Sequence, residues 1–323
     1  MALAPDVRSL IDRLSAGPSF AELSPDEARQ AYAQRIGDLI GARPGAAAGT
    51  AARTACAIEN ATMGGVPVRV YRPHGAGRAA ERPPGVVFCH GGGWVIGDLD
   101  THDEHCRALA AATDAVVVSA DYRRAPEHPY PAALDDCWAV TERVARDAGD
   151  LGIAGDRLAV AGDSAGGNLA AAVALRARDA GLPLRAQLLI YPVMDPTMAC
   201  ESYTTFAEGC YLTAEAMRWF IDAYLPDPAE RTLPGAGPLH AADLTGLAPA
   251  VVVTAEYDPL RDEGAAYADR LRRAGVPTRE LRVPATVHGF LEFVHVVPAA
   301  MRAREEILRE FAGLFEDGRA GDT

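Results

Sequence analysis

Apolar positions along this chain change period in a regular way. Val66-Pro67-Val68-Arg69-Val70-Tyr71 alternates, which predicts a half-exposed strand, and Gly85-Val86-Val87-Phe88-Cys89 is apolar throughout, which predicts a buried one. Further apolar runs of strand length fall at 115–119, 158–161, 186–191 and 250–254, and the mixed segment 279–283 is strand-like. Segments of helical character fall between them at 131–147, 165–179, 262–274 and 298–315. Strand and helix in alternation predict an α/β fold, a mostly parallel central sheet flanked by helices on both faces, with function at the carboxyl ends of the strands.

Two regions depart from this rhythm. Residues 1–45 predict two short helices, the second opened by Ser24-Pro25-Asp26-Glu27, which supplies an N-cap, a first-position proline and acidic first-turn residues. The stretch 195–247 holds one helix, 213–224, among many prolines and glycines, as expected of an insertion over one edge of the sheet. The expected division is therefore 1–45 as N-terminal helices and 46–323 as the α/β domain, interrupted at 195–247. The Gly- and Ala-rich 41–56 resembles a linker, and 317–323 a frayed tail.

Composition narrows the chemistry. A chain of 323 residues has ample length for a sizeable core, as one large α/β domain or two smaller ones. Its longest apolar runs cannot span a bilayer, and Asp6, Arg8, Asp12 and Arg13 interrupt any apolar signal core, so the expected location is cytoplasmic. A net charge of −13 argues against nucleic acid or an anionic membrane as partner. All 31 basic residues are arginine, which removes Walker-A phosphate binding, Schiff-base chemistry and Ser-Lys catalysis together. The six cysteines show no C-x-x-C spacing and lie mostly in apolar runs, so neither a disulfide framework nor a zinc site is expected.

The candidate chemistry sits where strands end. Gly162-Asp163-Ser164-Ala165-Gly166-Gly167 joins the run Leu158–Ala161 to an alanine-rich helix, a G-x-S-x-G elbow that exposes a serine hydroxyl above a sheet. Gly162 and Gly166 are needed because neighbouring backbone would collide with a Cβ there. His90-Gly91-Gly92-Gly93-Trp94 follows another strand, and its glycines let backbone N–H groups approach a ligand oxygen. Asp258 lies just past the strand 250–254, where a carboxylate can reach an imidazole, whereas Asp262 is expected to cap the following helix. His288-Gly289-Phe290 follows the last strand. The order Ser164, Asp258, His288 is that of α/β-hydrolases.

These segments, with Asp121-Tyr122-Arg123-Arg124-Ala125-Pro126-Glu127-His128-Pro129, Tyr191-Pro192 and Asp258-Pro259-Leu260-Arg261-Asp262-Glu263-Gly264, carry a resemblance. Over essentially its whole length the chain resembles the hormone-sensitive-lipase-like (bacterial family IV) esterases of the α/β-hydrolase fold. The resemblance implies Ser164 as nucleophile, His288 as base and Asp258 as its orienting acid, with the N–H groups of Gly91, Gly92 and Ala165 as oxyanion hole. It also implies a cap built from residues 1–45 and 195–247, and an apolar residue where this chain has Arg124. The expected activity is a serine carboxylesterase on short- to medium-chain acyl esters. An amidase, formamidase or transacylase with the same triad, or a non-catalytic receptor, stands as the alternative.

Trp94, Phe206, Tyr211 and Leu212, with Trp219 and Phe220, are candidates for the substrate pocket, with cap–core packing as the competing assignment. No cofactor and no metal are expected: His102-Asp103-Glu104-His105 fits neither zincin spacing and predicts an acidic, solvated helix start. His128 is expected to brace its loop by a hydrogen bond. The expected partner is a small-molecule ester, without nucleic acid or membrane insertion and with room for a homodimer.

Overall fold

A computed structural model of the protein describes residues 3, 5–41, 56–74 and 82–316; most of the expected linker and the expected frayed tail lie outside them. Eight strands form one sheet: β1 (Cys56–Met63), β2 (Val66–Pro73), β3 (Gly85–Cys89), β4 (Val116–Ala120), β5 (Leu158–Asp163), β6 (Ala186–Ile190), β7 (Ala250–Tyr257) and β8 (Thr278–Val287). Their order is β1-β2-β4-β3-β5-β6-β7-β8, parallel from β4 through β8, with β1 and β2 antiparallel at one edge. β1 carries no run in the sequence reading because its polar positions face out from that edge. It pairs with β2 across Gly64-Gly65, both at positive φ as a two-residue hairpin requires.

The helices are α1 (Pro5–Leu14), α2 (Pro25–Gly41), α3 (Asp103–Thr113), α4 (Ala132–Arg146), α5 (Ala165–Asp179), α6 (Ser202–Thr205), α7 (Ala214–Tyr224), α8 (Arg261–Arg273) and α9 (Pro298–Glu316). α4, α5 and α8 cover one face of the sheet, and α3 and α9 pack together on the other. Sandwiched in this way, β3, β4 and β6 are buried at every position, which is why their sequences do not alternate. No described helix is long and apolar enough to cross a membrane.

β3 and β5 are hydrogen-bonded neighbours, with Cys89 opposite Gly162, so the two glycine-rich loops leave the sheet side by side. Capping residues set α2 in place: Glu27 reaches back to the N–H and hydroxyl of Ser24. Arg29 then ties α2 to the core loops, donating to the carbonyls of Val95 and Ala125 and pairing with Glu127. Arg124 donates to the Gly97 carbonyl at 2.6 Å, so the arginine in this loop braces the turn after Trp94. His128 is exposed, and its side chain hydrogen-bonds to none of the described residues; His90 is buried instead, stacked on Tyr122 at 4.2 Å.

Candidate active site

The elbow at the end of β5 is tight. Ser164 holds φ 56° and ψ −120°, a conformation that side chains other than glycine rarely adopt, and its N–H is fixed to the Ile190 carbonyl at 2.8 Å. A Cβ on Gly162 would overlap the Gly166 carbonyl, and one on Gly166 would overlap the carbonyls of Cys89 and His90. Strain of this kind persists only where the surroundings over-determine it, and here it lifts one hydroxyl off the sheet at the start of α5.

Three side chains from three strand ends meet there. His288 Nε2 lies 2.9 Å from Ser164 Oγ, and His288 Nδ1 lies 2.8 Å from Asp258 Oδ2. Asp258 is fully buried, and its other oxygen accepts the Leu260 N–H at 2.8 Å, which fixes the carboxylate plane. Burial works against charging His288, but the Asp258 carboxylate, with Glu292 and Asp163 farther off, outweighs it and raises the imidazole pKa. Tyr191 closes the other side, its ring 4.7 Å from the imidazole. Asp262 is not a helix cap. It sits in the first turn of α8, accepts the Ser202 N–H at 3.0 Å and so fastens α6 to the core.

The glycine loop corrects one expectation. The Gly91 N–H donates to Asp163 Oδ1 at 2.9 Å and is therefore turned away from the serine. Asp163 is buried, and His102 beside it compensates its charge, Nε2 lying 3.4 Å from the same oxygen. Burial alone would raise the Asp163 pKa, but His102, with His105 and His90, holds it down. Gly92 and Gly93, at φ 110° and 57°, line the cleft instead, and among the described residues no protein group accepts from their N–H or from that of Ala165. Adjacent residues thus serve opposite sides of one peptide: Ser164 faces the cleft while Asp163 grips the loop across from it.

His102 is accordingly buried rather than solvated, Asp103 pairs with Arg107 and Arg69, and Glu104 pairs with Arg304 and His295. Among the described residues no group of three or more His, Cys, Asp or Glu side chains is placed to hold a metal ion.

Above the serine lies a cleft of about 590 Å³, part of it open to solvent. Tyr211, Leu212 and Phe220 wall it as expected, but Trp94 and Phe206 do not. Trp94 is fully buried beneath the glycine loop, stacked on Tyr224 at 4.5 Å, because its own positive φ turns the side chain down. Phe206 packs on Tyr257 and under the Arg261 guanidinium, and Trp219 lies behind Phe220. Phe20, Tyr32 and Arg35 from the N-terminal segment, Met217 from α7, and Tyr191 and Glu292 also line it, all unforeseen from the sequence. Glu292 did carry a signal: it is the single acid inside the apolar run Phe290–Phe293.

Comparison with known proteins bears on the fold and the family. A family model described as the alpha/beta hydrolase fold matches residues 86–292. The carboxylesterase NlhH of Mycobacterium tuberculosis is 47% identical over 255 residues, 76% of this chain and 79% of that protein. Esterase LipI of the same organism is 42% identical, covering 87% of each chain. Among solved structures, the ester-hydrolase EH1AB1 from the metagenome of Lake Arreo, in complex with a bipyridine phosphonate derivative, superposes with a TM-score of 0.87 at 38% identity, covering 98% of this chain and 100% of that one.

Proposed function

The chain belongs to the α/β-hydrolase-fold family, in its hormone-sensitive-lipase-like branch, and on that premise we infer that it is a serine carboxylesterase whose nucleophile is Ser164. The observation that carries the assignment is the continuous Ser164–His288–Asp258 chain at the floor of the cleft. His288 Nε2 takes the hydroxyl proton as Ser164 Oγ attacks the ester carbonyl, and Asp258 holds the tautomer and stabilises the imidazolium. The tetrahedral oxyanion is held by the N–H groups of Gly92, Gly93 and Ala165, which lie at the start of α5 and in the loop beside it. The imidazolium then protonates the departing alkoxide. Water, deprotonated by the same imidazole, releases the acid and restores the serine.

Residues 1–45 and 195–247 act as a cap over the acyl and alcohol sites. Phe20, Tyr32, Tyr211 and Met217 support this reading, since all four reach the cleft from outside the sheet. The mostly apolar wall suits short to medium acyl chains. Cytoplasmic residence is supported by six free thiols, which a reducing compartment maintains.

The test is labelling by an organophosphonate followed by peptide mapping, run beside a panel of activated esters, lactones and amides. Modification of Ser164 with turnover of esters ahead of amides is the expected result. Labelling elsewhere, or labelling without any ester turnover, would overturn the assignment.

A further inference from the structure

Beyond the triad, the wall of the cleft contains one closed polar chain. Glu292 is buried four residues after His288, on the short helical turn Phe290–Phe293. Tyr211, from the 195–247 insertion, donates its hydroxyl to Glu292 Oε2 at 2.6 Å, and Tyr32, from α2, lies 3.2 Å from Oε1. Arg35, one turn along α2, donates to the Tyr211 hydroxyl at 3.3 Å, with its guanidinium over the Phe20 and Tyr211 rings. Both oxygens of the carboxylate are thereby engaged, each by a different segment outside the sheet.

Two backbone features show that the contact is built. Tyr211 holds φ 71°, a left-handed conformation that a non-glycine residue keeps only where its surroundings enforce it. Its ring sits against Gly289, where an added Cβ would come within 3.1 Å, and edge-on to Phe293 at 5.1 Å. The tyrosine is thus wedged into the turn that directly follows the imidazole.

We propose that Glu292 is a positioning residue for His288: it clasps the N-terminal helix and the insertion to the loop carrying the imidazole and sets a buried carboxylate on the turn that follows it. The inference rests on the triad assignment above. His288 faces Asp258 from the end of β7, Asp163 and Ser164 from the elbow, Tyr191 after β6, and Glu292 from its own turn. Glu292 in turn faces Tyr32 and Arg35 of α2, Tyr211, His102 and Asp163. Burial raises the Glu292 pKa above that of a free carboxyl, partly offset by the Tyr211 hydroxyl and Arg35. Above that pKa its negative charge favours the imidazolium.

The experiment follows inactivation of Ser164 by an organophosphonate as a function of pH, which reads the neutral fraction of His288. Glu292→Gln keeps partners for both tyrosines but removes the charge, and should move the acid limb down by about 0.5 pH unit or more. Glu292→Asp keeps the charge but shortens the clasp, and should retain the wild-type limb with a lower plateau rate. The double variant Tyr32→Phe/Tyr211→Phe keeps the carboxyl but strips both hydroxyls that clasp it, so its plateau rate should fall; it serves if Glu292→Gln does not fold. An unmoved limb in Glu292→Gln or, where that variant does not fold, an unchanged plateau in the double variant would overturn the proposal. So would equal shifts in Glu292→Gln and Glu292→Asp. Failure of the wild-type enzyme to label at Ser164 would instead refute the triad assignment and carry this inference with it.

Discussion

Replacing Asp258 by asparagine tests the site most sharply, because the structure dictates which way the new amide must point. Leu260 presents an N–H to Oδ1 at 2.8 Å, and a buried N–H facing an NH2 group would leave two donors opposed. The amide oxygen therefore stays on Leu260, and the NH2 group takes the place of Oδ2, 2.8 Å from His288 Nδ1. That nitrogen must then accept, which places the imidazole proton on Nε2, aimed at Ser164 Oγ. In this tautomer the histidine cannot take the serine proton. The expected loss in kcat is about 10⁴, or about 5 kcal/mol of barrier, as in other triads with this substitution. Initial rates on p-nitrophenyl butyrate, with circular dichroism to establish the fold, measure it. Asp262→Asn is the control: Asp262 holds Ser202 and should cost less than about tenfold. A loss under tenfold in Asp258→Asn, or a greater one in Asp262→Asn, would refute the tautomer reasoning.

Other outcomes follow from the same geometry. Only neutral His288 accepts the serine proton, and its raised pKa places the acid limb of kcat/KM above the ordinary value of about 6.5, so activity should climb with pH through that limb; a flat profile from about pH 5 to 8 would exclude histidine as base. Gly166→Ala should abolish the folded, active enzyme, since the new Cβ meets fixed carbonyl oxygens of Cys89 and His90 rather than a movable side chain; near-normal expression and turnover would contradict the elbow described above. Each acyl methylene buried against Phe20, Leu212, Met217 or Phe220 should gain about 0.8 kcal/mol, close to fourfold in kcat/KM. A p-nitrophenyl ester series should accordingly rise from acetate to butyrate or hexanoate and then fall, and a maximum at or beyond about twelve carbons would refute the enclosed wall.

The parts of the site that sequence makes legible are those whose geometry is local. Ser164 was readable because Gly162 and Gly166 flank it within one turn, Asp258 because it lies just past the apolar run 250–254, and His288 because it follows the last strand and precedes a glycine. Gly91 was misassigned because the direction of its N–H depends on a carboxylate 72 positions away, and nothing within His90–Trp94 records that bond. Trp94 and Phe206 failed for a related reason: an aromatic beside a glycine loop can turn up into the cleft or down into the core, and positive φ at Trp94 decides for the core. Tyr32 and Arg35 could not be read at all, since their helix reaches the cleft only through contacts such as that of Tyr32 with Glu292, 260 residues distant. The buried strands β3 to β7 were legible from their apolar runs and β2 from its alternation, whereas the exposed positions of β1 neither alternate regularly nor leave an apolar run.

The register of β3 against β5 has a mechanical consequence. Because Cys89 stands opposite Gly162, the strand ends that launch the Ser164 elbow and the glycine loop lie one inter-strand spacing apart, roughly 4.8 Å, a length set by peptide hydrogen bonds. Such a ruler does not stretch when residues around it are exchanged. Side-chain substitution in the cleft walls can reshape what enters while leaving the spacing of these two strand ends untouched. Heat or denaturant that parts the two central strands destroys that spacing, so catalytic competence should not outlast the integrity of the middle of the sheet.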